Sequence, residues 1–184
     1  SDEWVLEAER RGLPNIKSMV EAVETLTTDK AVKLFEKFHI FTKAELESRE
    51  EVLYETYAKT INIEALTMID MASKQIIPAV VRYTKSLADT VIAVKEAGAD
   101  ASVQAGRLAG VSAKLAEAKA ALGKLQEAED KANAMGEGRA QAFVYKDEVK
   151  AAMDALRAPV DELEMMVDKE VWPYPTYADL MFEV

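Results

Sequence analysis

Between residues 42 and 97 the chain has no glycine, and its apolar residues recur every three or four positions. Leu53, Tyr57, Ile61, Ala65, Met68, Ala72, Ile76, Val80, Tyr83, Leu87, Val91 and Val94 form the series. That period belongs to an α-helix and excludes a strand, whose period is two. Thr42 followed by Glu45 has the spacing of a capping box, in which hydroxyl and carboxylate each satisfy a free amide of the first turn. The helix is therefore expected to start there. At 1.5 Å per residue a helix over 43–97 extends about 80 Å, so it needs partners along its length. Pro78 lacks an N–H and crowds the preceding turn, which predicts a kink around residues 74–77.

Two further long helices supply those partners. After Gly98, Asp100 or Ser102 can cap a helix over 101–135. Its seam is Leu108, Val111, Leu115, Ala118, Leu122 and Leu125, steps of three and four that average the coiled-coil repeat. Gly136 and Gly138 reverse the chain into a helix over 139–170, with Ala142, Tyr145, Val149, Met153, Leu156, Val160, Leu163 and Val167 on its seam and a second kink expected at Pro159. Upstream, short helices are predicted over 2–11, after Asn15 as a cap, and after Thr28 or Asp29, the last with a stripe of Val32, Phe35 and Phe38. The second and third should dock on the overhang of the longest helix, roughly 43–62. Trp172, Tyr174 and Tyr177, interleaved with Pro173 and Pro175, predict an extended aromatic tail that folds back on the bundle, with Thr176 and Asp179 capping a final turn.

The expectation is thus an all-α fold, an elongated antiparallel helical bundle built on one very long kinked helix. A single domain covers 1–184: short N-terminal helices in 1–41, three long helices in 42–170 and a tail in 171–184. Seven glycines and five prolines among 184 residues leave little that would oppose helix. A net charge of −10 with no basic face argues against a nucleic-acid partner. No run of 18 uncharged apolar residues and no basic-then-apolar leader predict neither membrane span nor signal peptide.

Few residues suggest chemistry. With no cysteine and one histidine, His39, the chain cannot build thiolate or paired-histidine metal sites by itself. Glu47, Glu50, Glu51 and Glu55 cluster on the long helix, but Arg49 and Lys59 beside them favour a solvated, ion-paired face. Gly106 and Gly110 mark a close helix contact. Asn62, Glu64, Thr67, Asp70 and Lys74 interleave with the most apolar stretch and are the candidate interface, either a buried polar seam or an outward stripe. No catalytic, cofactor-binding or metal residue is assigned.

Longer motifs add a family resemblance. Ser48-Arg49 leading into Glu55-Thr56-Tyr57-Ala58-Lys59-Thr60-Ile61-Asn62-Ile63-Glu64-Ala65-Leu66-Thr67-Met68-Ile69-Asp70-Met71-Ala72, and the ending Trp172-Pro173-Tyr174-Pro175-Thr176-Tyr177-Ala178-Asp179-Leu180, resemble the C-terminal region of type III glutamine synthetases. So do Trp4-Val5-Leu6-Glu7-Ala8-Glu9-Arg10-Arg11-Gly12-Leu13-Pro14-Asn15 and Phe35-Glu36-Lys37-Phe38-His39-Ile40-Phe41-Thr42. The resemblance implies a fragment of a large, cytoplasmic, homo-oligomeric enzyme that forms glutamine from glutamate, ammonia and ATP with a divalent metal. Those sites would belong to an upstream catalytic domain, leaving this chain a noncatalytic scaffold or regulatory appendage. The alternative is a helical module that binds a regulatory protein or small metabolite.

Overall fold

The computed structural model describes residues 2–182, and every regular element among them is helical. In chain order these are α1 (Asp2–Arg10), α2 (Met19–Val23) running into a 3-10 turn (Glu24–Thr27), α3 (Asp29–Lys37) and α4 (Lys43–Met71). A π turn (Ala72–Ile76) joins α4 to α5 (Ile77–Glu96), followed by α6 (Ser102–Asn133). Then α7 (Arg139–Val144), a second π turn (Tyr145–Val149) and α8 (Lys150–Met166) form one continuous rod, and α9 (Tyr177–Phe182) closes the chain.

The long helix starts as its sequence requires. Thr42 N–H donates to the Glu45 carboxylate at 2.8 Å, and Glu45 N–H donates to Thr42 Oγ1 at 3.4 Å. Its far end closes at Gly98, whose φ of +77° suits a residue without Cβ and lets Ala99 N–H reach back to the Val94 carbonyl at 3.1 Å. The cap of α2 differs from expectation. Ser18, not Asn15, accepts from the Glu21 amide, and Ile16 and Lys17 between them stay outside the helix. Both types are competent caps, so local sequence alone does not choose between them.

Within the long rod, the interruption ahead of Pro78 takes the form of a π turn. Ile77 N–H bonds to the Ala72 carbonyl, one residue beyond the α-helical partner. The second π turn repeats this between Lys150 N–H and the Tyr145 carbonyl, with no proline nearby. Pro159 instead lies buried inside α8, and the helix continues through it.

Three apolar clusters show how the helices align. Val20, Val23, Tyr54 and Ala142 pack at one end, bringing α2, α4 and α7 together. Ala58, Ile61, Ala65, Ala72, Leu122, Leu125, Ala132, Tyr145, Val149 and Leu156 form the centre. Ile76, Val80, Val111, Ala118, Leu163, Val167 and Trp172 form the other end. As numbers rise along α4 and α5 they fall along α6 and rise again along α8, so α6 is antiparallel to both neighbours. The α8 rod stops near Val80 and Val111, and beyond that level α5 and α6 continue as a two-helix hairpin. Trp172 is 9% exposed, whereas Leu180, Met181 and Phe182 in α9 remain exposed.

Gln141 holds the α6–α7 reversal shut. Its buried side-chain amide donates to the carbonyls of Ala132 at 3.1 Å and Met135 at 3.4 Å, the first of which also accepts from the Met135 N–H at 3.2 Å. Gln141→Ala is expected to cost about 0.5–1.5 kcal/mol, the net worth of the side-chain hydrogen bonds it removes from the end of α6. Urea unfolding followed by circular dichroism measures it. A Gln141→Glu variant should be at least as damaging, since a carboxylate cannot donate.

Candidate functional site

Besides Gln141, the interior holds a three-residue polar cluster at mid-bundle. The α6 seam continues past Leu125 in steps of four and three to Glu129 and Ala132, which places a carboxylate in a core position, 5% exposed. Asn62 on α4 supplies its partner. The amide donates to Glu129 Oε1 at 2.7 Å and to Tyr145 Oη at 3.0 Å, so one side chain ties together all three long rods. Burial, reinforced by the neighbouring Asp130 charge and opposed by the Asn62 hydrogen bond, raises the Glu129 carboxyl above the ordinary carboxylate range. Burial likewise raises the Tyr145 phenol. Tyr145 occupies the first residue of the second π turn.

Ile61, Ala65, Leu122, Leu125 and Ala132 belong with Tyr145 to the buried core beside this cluster, and Asn62 reaches it from a partly exposed position. The cluster's chemistry is that of a hydrogen-bonded tie, which fixes the axial alignment of helices whose alanine-rich surfaces would otherwise slide.

The five residues singled out from sequence separate into two environments. Asn62 turns inward to the cluster. Glu64 and Thr67 are exposed, and Asp70 pairs with exposed Lys74 one turn on. Thr67 donates to the Ile63 carbonyl of its own helix at 2.7 Å. Beside them Ile63 and Leu66 are 65% and 47% exposed, so the outward face of α4 is an apolar and polar stripe rather than a purely solvated one. Glu129 and Tyr145 were not singled out as polar partners. Continuing the three-four count on α6 by one step would have found Glu129, an acid in a slot meant for leucine.

Other candidates resolve into surface structure. Glu55 pairs with Lys59, Glu50 accepts from Tyr54 Oη at 3.2 Å, and Arg49 lies over the Phe41 ring. His39 is exposed at the end of α3 with φ of +50°. A Cβ on Gly110 would meet the flexible Met166 methyl at 3.1 Å, whereas one on Gly106 would meet nothing within 4 Å, so only the second glycine of that pair marks a close approach. Among the described residues no group of three or more His, Cys, Asp or Glu could hold a metal, and no helix is long and apolar enough to cross a membrane.

An all-helical bundle tied through its core and presenting one partly apolar helix face defines a helical domain organised by packing. The sequence profile of the glutamine synthetase C-terminal domain matches residues 1–95, and this chain belongs to that family. It is 38% identical over 186 residues to a glutamine synthetase of Butyrivibrio fibrisolvens, and 31% identical over 188 residues to one of Bacteroides fragilis (strain YCH46). A type-3 glutamine synthetase of Dictyostelium discoideum is 29% identical over 188 residues. In each case 99–100% of this chain is covered, but it spans only 26–27% of the relative's length.

Proposed function

We infer that this chain is a noncatalytic helical appendage of a glutamine synthetase, acting as scaffold or regulatory element for an upstream catalytic domain. The observation that supports this most directly is the coverage: all of the chain aligns with about a quarter of each relative. In this reading the parent is a cytoplasmic homo-oligomer that ligates ammonia to glutamate with ATP and a divalent metal, and its reacting groups lie outside these 184 residues. The exposed stripe of Ile63, Leu66, Thr67 and Asp70 on α4, with Lys74 in the π turn beyond it, is the face assigned to the rest of the parent.

Two measurements test the reading. The purified chain, supplied with glutamate, ammonia, ATP and magnesium, should form no glutamine; turnover would overturn the noncatalytic assignment. In the full-length parent, reversing the stripe with Ile63→Glu and Leu66→Glu should change the assembly's sedimentation coefficient or its activity. If both stay at the unmodified values, the stripe is not the contact face. The alternative, a module receiving a regulatory protein or metabolite on the 62–74 face, has the same exposed stripe in its favour. It predicts instead that those substitutions leave assembly intact and abolish the response to an effector.

A further inference from the structure

A cleft of about 660 Å³ lies where the segment before α2 crosses the corner between the second π turn and α8. Its volume falls in the range of small-molecule sites. Three lysines line it, Lys17, Lys146 and Lys150, together with the Ser18 hydroxyl, the Tyr57 phenol and one carboxylate, Glu21. This concentration of cations is unexpected in a chain of net charge −10. Lys146 is held between Glu21 at 2.7 Å and Asp147 at 3.0 Å. Lys17 and Lys150 have no ion-pair partner among the described residues, and both are exposed.

We propose that this cleft binds a small phosphorylated anion, with Lys17 and Lys150 as its charge partners and Lys146 as a third donor fixed by Glu21. The cations lining the cleft are all lysines, with no guanidinium fork among them. Ammonium groups act as point charges and match the compact charge of a phosphoryl group. The π turn contributes by carrying Lys146 within it and Lys150 just after it, on the corner that faces Lys17. The site stands independently of the scaffold reading, because it uses a different face from the α4 stripe.

Inorganic pyrophosphate is the probe. Titrated into the isotope-labelled chain, it should shift amide resonances saturably in residues 15–21, at Tyr57 and in 146–150. Lys17→Glu with Lys150→Glu should weaken binding at least about tenfold, through the loss and reversal of two facing charges. Both side chains are exposed, so circular dichroism should be unchanged. The same reversals at exposed Lys119 and Lys124 on α6 should leave binding as it was. Scattered, unsaturable shifts would overturn the site. Equal binding of citrate at the same residues would overturn its assignment to phosphoryl groups, and capture by phosphatidic acid vesicles without pyrophosphate binding would replace a soluble ligand with a lipid surface.

Discussion

Asn62→Leu is expected to destabilise the chain by about 2–3 kcal/mol near neutral pH, the cost of removing a hydrogen bond to a buried charged group. The substitution leaves the Glu129 carboxylate in the core without its amide donor, among Leu122, Leu125 and Ala132. The pH dependence identifies the mechanism. Because the folded pKa of Glu129 is raised, the folded state binds the proton more readily than the unfolded state. The penalty for burying this charge is therefore full above the folded pKa. It fades as pH falls and is gone below the unfolded value of about 4.3. Removing Asn62 raises the folded pKa further, so the deficit should shrink on acidification toward that value. Urea midpoints at neutral and mildly acidic pH measure both. Glu129→Gln in the Asn62→Leu background should flatten the pH profile, since no charge remains to be buried. A deficit that does not change with pH would mean that Asn62 acts by packing alone.

Leu122→Ala should cost about 3–5 kcal/mol, the upper part of the range for buried leucine truncation. Leu122 is fully buried at the centre of the bundle, with Ala58, Ala65, Ala72 and Ala132 in the same cluster. Alanines have no side-chain torsion through which to move into a void, and the helices that carry them are held in alignment by the Asn62 tie. The cavity should consequently remain open. Thermal unfolding gives the comparison, with Leu115→Ala as the reference: its side chain is only partly buried and should cost less.

The sequence conveyed the helices well because the signals that start, stop and orient them are local. Thr42 and Glu45 are three residues apart and make both of their capping bonds. The α6 seam needed only a count of threes and fours, and Val111, Ala118, Leu122 and Leu125 are all buried. What escaped was long-range or a matter of phase. Asn62 meets Glu129 and Tyr145 across 67 and 83 residues of chain, and no local pattern joins those positions. The π turns left no distinctive trace. The seam takes successive steps of four around Ala72, Ile76 and Val80 and around Tyr145, Val149 and Met153, but it does the same from Leu53 to Ala65, where α4 is regular. Choosing Ser18 over Asn15 was beyond local reasoning because it depends on where Val20 and Val23 must enter the core.

The two π turns also bear on how such a domain can change length. Each is a place where a residue has been accommodated within a helix without a loop to hold it, and each lies in a rod flanking the uninterrupted α6. The regular helix serves as the ruler, and its two neighbours carry the slack. A one-residue deletion at either wide turn could be taken up by reverting to ordinary α geometry, with the apolar seams on both sides still facing inward. Divergence in such a bundle therefore need not be confined to its short connections. Single-residue insertions and losses have somewhere to go within the helices themselves.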